Sequence, residues 1–216
     1  MGPTLHDRSN DDENAIVLVI DDDADVREGL RALLESVGLR SKSFKCAPDF
    51  FRYELPDKAC CLIVDVRLPG LSGLEFQAEL AEVQIDIPII FITGHGDIAM
   101  SVKAIRAGAV EFLAKPFREQ ELLDAVQVGL DRNRQRREHD RRTHNLITRF
   151  GGLSRREREV MTLVATGLMN KQTAAMIGLR EVTVKVHRHN IMKKLGAKSL
   201  PDLVRMANIL GLPHKV

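Results

Sequence analysis

The sequence predicts an α/β unit built on a parallel sheet, followed by a smaller all-helical unit. Three observations carry this. Short apolar runs alternate with segments of helical periodicity, the pattern of strands joined by crossover helices. After Leu130 the apolar runs stop and only helical periodicity remains. Charge changes sign at the same place. Met1–Leu130 holds 13 Lys and Arg against 23 Asp and Glu, a net of −10. Asp131–Val216 holds 19 against 7, a net of +12. An acidic part joined to a basic part suits one surface for cations and one for a polyanion.

Residues 1–14 are polar and aperiodic, and read as a disordered extension. Ala15–Ile20 is a buried-strand run ending on Asp21-Asp22-Asp23. Over Ala24–Ser36, Val26, Leu30, Leu33, Leu34 and Val37 share one helical face, and Gly38 stops the helix. Leu39–Lys45 reads as a weak strand and Pro48–Leu55 as a short helix. Leu62-Ile63-Val64 ends on Asp65, and a Pro69-Gly70 turn follows. Ser72 with Glu75 three residues on is a capping box for a helix over Gly73–Val83. Pro88–Ile92 ends on Thr93-Gly94, and Val110–Ala114 ends on Lys115-Pro116, with an amphipathic helix at Ile98–Ala107 between them. Arg118–Leu130 carries Leu122, Leu123, Val126 and Leu130. Right-handed crossovers then give a doubly wound parallel sheet of roughly five strands in the flavodoxin-like order.

The carboxyl ends of parallel strands are where such sheets build their sites. Here they carry carboxylates, a hydroxyl and an amine. Carboxylate oxygens suit Mg2+, which keeps room for phosphate oxygens, while a lysine and a hydroxyl hold the rest. Phosphoryl transfer needs mainly positioning and charge neutralisation. Leu18–Arg27, the stretch around Asp65, Thr93-Gly94-His95-Gly96-Asp97 and Lys115-Pro116-Phe117 together resemble the receiver domain of two-component response regulators. The resemblance covers residues 15–130. It implies that Asp65 accepts a phosphoryl group from a phosphohistidine on a sensor histidine kinase. It implies that Asp22, backed by Asp21, holds Mg2+ with Asp65 and the backbone carbonyl of Arg67. Lys115 and Thr93 would contact the phosphoryl group, and Phe112 would change rotamer in response. His95, a loop histidine beside Thr93, reads as solvated.

Asp131–Arg142 is almost all charged and lacks an apolar seam, so residues 131–152 read as a solvated helical or frayed linker. Residues 153–216 hold four helical segments. Ser154 and Glu157 form a capping box for the first, with Val160, Leu163, Val164 and Leu168 as its apolar face. Asn170 can cap the second, burying Ala174, Ala175 and Ile177. The third spans Glu181–Leu195 and stops at Gly196. The fourth starts at Ser199 and runs to about Leu210. At about 100 degrees per residue, Ile191 and Leu195 fall on Val184's side of the third helix. Lys185, Val186, His189 and Lys193 fall on the other. An apolar stripe opposite a basic one suits a helix entering a major groove; on an isolated helix it would be a solvated face.

The block Leu153–Ala207 is similar to the LuxR-type helix-turn-helix output domain, through Arg156–Val160, Gly167–Lys171 and Thr183–Leu195. The expected base-edge contacts are Lys185, Val186 and His189. Asn170, Lys171 and Arg188 are placed for backbone phosphates, and Thr183 and Lys193 complete the DNA-facing set. Two departures stand out. Arg180 replaces the usual Ser or Thr before the third helix, and losing that cap costs about 1 kcal/mol. Thr173 replaces a larger aliphatic residue. Met169, Met176, Met192 and Met206 read as packing residues.

The longest apolar runs fall far short of the roughly 18 residues of a membrane span, and no secretion signal opens the chain. Three cysteines, two of them adjacent in a strand, suggest reduced thiols in a cytoplasm. The expected function is a response regulator, not an enzyme, that forms homodimers on phosphorylation. Its expected partners are the kinase, double-stranded promoter DNA and RNA polymerase. Two alternatives use the same residues: a Mg2+-dependent aspartyl phosphatase, and a DNA-binding regulator controlled without phosphorylation.

Overall fold

The computed structural model describes residues 15–94 and 98–213. The expected N-terminal extension and His95 lie outside them. The chain divides into two compact units, residues 1–137 and 138–216.

In the first unit β1 (Ala15–Ile20), β2 (Arg40–Phe44) and β3 (Ala59–Asp65) are followed by β4 (Arg67–Leu68), β5 (Leu71–Ser72), β6 (Ile89–Thr93) and β7 (Glu111–Ala114). Five of them form one parallel sheet in the order β2-β1-β3-β6-β7, the flavodoxin-like order. β1 and β3 lie inside the sheet and are apolar along nearly their whole length, as strands covered on both faces must be. Strand alternation sorts the core into two layers. Leu18, Leu62 and Phe91 pack with Phe50 of α2 (Ala47–Phe51) and Phe76 and Leu80 of α3 (Gly73–Glu82). Val17, Ile63 and Ile90 pack with Leu30 and Leu34 of α1 (Ala24–Ser36) and Leu122, Val126 and Leu130 of α5 (Glu119–Gly151). The remaining helix, α4 (Ile98–Arg106), buries Ala104 in the first layer.

Several local expectations change. The short helix α2 stops at Phe51, not Leu55. The Pro69-Gly70 turn closes a small antiparallel hairpin of β4 and β5, with Gly70 at φ 81°. Val37 is exposed, because the chain leaves the α1 helix there. β7 is a sheet edge, so its residues are half-covered or exposed rather than buried. The charged stretch after Leu130 neither frays nor stands wholly in water. It is helix through Gly151, within α5. Asn133 is buried, and its Oδ1 accepts the Cys60 N–H at 3.1 Å. Arg136 pairs with Asp86 at 2.6 Å, and Arg137 pairs with Asp57. The apolar pattern misses this because polar side chains make the attachment.

The second unit packs α6 (Arg155–Ala165), α7 (Asn170–Ile177), α8 (Glu181–Leu195) and α9 (Leu200–Ile209) around Leu146, Val160, Met161, Val164, Val184, Ile191 and Leu203. Ser154 and Glu157 form the expected capping box, and Ser199 caps α9. α7 differs from expectation. Its cap position is Met169, whose N–H donates to Gln172 Oε1 at 2.9 Å, and Asn170 lies inside the helix. Ala175 is exposed and Thr173 buried in its place. Met192 and Met206 pack in the core, but Met169 and Met176 are exposed. No helix among the described residues is long and apolar enough to cross a membrane.

Candidate functional site

Three strand ends meet at the carboxyl edge of the sheet. Asp21 follows β1, Asp65 closes β3 and Lys115 follows β7. Lys115 Nζ donates to Asp65 Oδ2 at 2.6 Å and to Asp21 Oδ2 at 2.9 Å. One ammonium therefore bridges two carboxylates. The other oxygen of each is held by backbone: Asp65 Oδ1 accepts the Arg67 N–H at 2.8 Å, and Asp21 Oδ1 accepts the Asp23 N–H at 2.9 Å. The carboxylates thus cannot swing away from the pocket without losing two bonds each. Asp21 and Asp65 are both buried, while Asp22 is exposed. Asp23 caps α1 by accepting from the Asp25 and Val26 N–H groups.

Burial pushes the Asp21 carboxyl up, against the hydrogen bonds from Lys115 and Asp23 that pull it down. Burial also opposes the charge on Lys115, but hydrogen bonds to Asp65 and Asp21 outweigh it and hold the ammonium above its ordinary value. The lysine therefore stays charged at neutral pH.

Thr93 is fully buried at the end of β6, and its carbonyl accepts the Lys115 N–H at 2.7 Å. Phe112 is half-buried on β7, paired in register with Phe91, the ring centroids 6.3 Å apart. Four expected receiver residues, Asp21, Asp65, Thr93 and Lys115, are thereby joined by bonds the sheet creates. The Arg67 side chain is exposed, and it is the backbone that engages Asp65.

The donors fit Mg2+ in kind. They are hard carboxylate and carbonyl oxygens, and this ion takes few protein ligands and retains waters. Among the described residues no three carboxylate, imidazole or thiol side chains form a closed metal cage.

Two supporting residues escape the sequence reading. Arg27 Nη1 donates to the Asp21 carbonyl at 2.7 Å, fixing the acidic turn from the first turns of α1. Gly73 opens α3 against the end of β3. A Cβ there would lie 2.9 Å from the Asp65 carbonyl oxygen and 3.0 Å from Phe91 and from Val66 Cα. Gly73 comes right after its capping serine, but nothing in the sequence signals that clearance.

The second site is the outer face of α8. Lys185, Val186, His189 and Lys193 line it, opposite buried Val184, Ile191 and Leu195. Lys185, Val186, His189 and Lys193 are exposed, and Thr183 is half-buried. Lys171 is exposed, but Asn170 and Arg188 engage each other: Arg188 Nη1 donates to Asn170 Oδ1 at 2.5 Å. This pair ties the start of α7 to the middle of α8. Two further bonds set α8: Lys194 Nζ to buried Glu157 at 2.7 Å, and Arg149 Nη1 to the Leu195 carbonyl at 3.2 Å. Arg180 makes no side-chain cap bond, as its side chain predicts.

Residues 17–127 match the response regulator receiver domain family, and residues 152–207 match the bacterial regulatory proteins of the luxR family. The chain is 56% identical to nodulation protein W of Bradyrhizobium diazoefficiens over 198 residues, covering 92% of this chain and 87% of that one. It is 43% identical to the transcriptional regulatory protein FixJ of Azorhizobium caulinodans, covering 93% and 95%. Among solved structures, the response regulator StyR is similar over 90% of this chain and 98% of that one, with 50% identity and a TM-score of 0.79.

Proposed function

We propose how this protein works from one fact: the chain belongs to the response regulators of the NarL/FixJ family, with a receiver unit and a LuxR-type DNA-binding unit. Asp65 is the phospho-acceptor. A carboxylate oxygen attacks the phosphorus of a phosphohistidine on a sensor kinase, and the phosphorus–nitrogen bond breaks as the phosphorus–oxygen bond forms. Asp21, Asp22, Asp65 and the Arg67 carbonyl would hold Mg2+, which when bound would supply charge neutralisation for the phosphoryl oxygens. The single observation that carries this reading is the Lys115 ammonium 2.6 Å from Asp65. It lies where phosphoryl oxygens would arrive.

The new group adds about −1.5 to −2 charges. Lys115 shifts its bonds from Asp21 and Asp65 to the phosphoryl oxygens, and Thr93 donates its hydroxyl. Phe112 repacks against Phe91. The exposed Ile98, Val102 and Ile105 of α4 then pair two receivers. The dimer sets two α8 helices on double-stranded promoter DNA in the cytoplasm, where it meets RNA polymerase. A phosphatase reading is weaker, because α1 begins at Ala24 directly after the acidic turn and leaves no cap domain there.

The test is labelling with acetyl phosphate and magnesium. The wild type should take one phosphoryl group and sediment as a dimer, and Asp65→Asn should take none. Full labelling of Asp65→Asn would place the acceptor elsewhere. Steady release of inorganic phosphate from an added monoester would support the phosphatase instead.

A further inference from the structure

We propose that Val182 is a specificity-determining residue of the DNA-reading helix, and that with Val186 it reads two thymine methyl groups about two base steps apart. The inference rests on α8 entering the major groove.

Val182 is 68% exposed and Val186 54% exposed. Both are β-branched aliphatic residues, which ordinarily gain by burial. Their place on the helix is what marks them. With Val182 at zero and about 100 degrees per residue, Lys185, Val186, His189 and Lys193 fall at about −60, +40, −20 and +20 degrees. Val184, Ile191 and Leu195 fall at about 180 to 220 degrees, and all three are buried. Val182 therefore stands at the middle of the basic arc, directly opposite the core, in the first turn of α8. The N-terminal residues of a recognition helix are the ones that reach base edges.

The occupant follows from chemistry. The arc is basic, which suits the phosphates of a duplex. Within a major groove the apolar feature offered by a base is the thymine methyl. Val182 and Val186 are one helical turn apart, about 6 Å along the axis. Base pairs are about 3.4 Å apart. Two valines on one line thus meet methyls about two steps apart. Glu181 pairs with Lys185 at 3.4 Å, one turn apart on the same helix.

The experiment uses the full-length phosphorylated protein on a binding site selected from random duplexes. Each thymine of a half-site is replaced in turn by uracil, which lacks only the methyl. Wild type should lose about fourfold in affinity at each of two positions, the value of one methyl-sized contact. Val182→Ala should abolish the loss at one position and Val186→Ala at the other. Both residues are exposed, so both variants should keep the wild-type melting curve. A uracil scan without effect, or an unchanged scan in Val182→Ala, overturns the proposal. Lys185→Ala separates the two levels. If it alters the selected sequence while Val182→Ala does not alter the scan, the valine assignment alone is wrong. If neither variant changes discrimination, α8 is not the reading helix and both readings fall.

Discussion

The carboxylate–lysine cluster at the strand ends and the outer face of α8 are assembled in opposite ways. Lys115 reaches its two carboxylates across 94 and 50 residues of chain, and it is the sheet that brings the three together. The basic face of α8 lies within one helix, where periodicity alone brings its side chains into line. A site gathered from distant strand ends depends on everything packed beneath it. A face drawn along one helix depends on that helix forming and on the few bonds that aim it. The first should therefore be vulnerable to changes that touch no reactive group, and the second should tolerate them.

Gly73→Ala should produce the largest effect. A Cβ would meet backbone at the Asp65 carbonyl oxygen and Val66 Cα. Neither can yield as a flexible side-chain tip would. Overpacking of this kind costs about 1–3 kcal/mol. Urea unfolding followed by Tyr53 fluorescence reports the receiver alone, because the chain has one tyrosine and no tryptophan. The midpoint should fall and acetyl phosphate labelling should slow. Wild-type values for both would break the contrast, since the gathered site would then prove insensitive to its support.

Glu157→Gln tests the converse, because α8 has gathered contacts of its own, the Glu157–Lys194 pair among them. The Glu157 carboxylate is buried at 2.7 Å from Lys194. Burial raises its pKa, but hydrogen bonds from Lys194 and Ser154 outweigh that and hold it below its ordinary value of 4.5. A depressed carboxyl contributes stability above 4.5 and loses it as pH falls through the folded value. Glu157→Gln should thus cost the helical unit about 1–2 kcal/mol at pH 7. The gap from wild type should close below pH 4.5. Hydrogen exchange of α6 and α8 amides measures it. A gap that persists undiminished at low pH would show that shape, not charge, is what the glutamate supplies.

Thr173→Val should give the smallest change, and in the opposite direction. Thr173 is fully buried, and its Oγ1 has no hydrogen-bond partner among the described residues. An unpaired buried hydroxyl is destabilising, and removing it should gain about 1 kcal/mol. The same exchange measurement on α7 checks it. A loss of stability would mean that the hydroxyl is satisfied in solution.

Apolar runs, glycine stops and the two capping boxes of Ser72 and Ser154 all report on neighbours in the chain, and the amino-acid sequence by itself determines them. It also determines Asp65 and Lys115 as residues at strand ends, and the phase of α8. Each depends on local sterics or on one period of a helix, which a linear pattern records faithfully. What the tertiary structure alone decides has a different origin. The Asp21–Lys115–Asp65 bridge, the clearance at Gly73, the burial of Asn133 against Cys60 and the pairing of Arg188 with Asn170 all depend on the packing of one element against another. Arg188 and Asn170 show the limit best. On a helical wheel both are free to meet phosphates, because the wheel has no coordinate for the neighbouring helix. Only packing α7 against α8 brings the two side chains within bonding distance and turns them on each other.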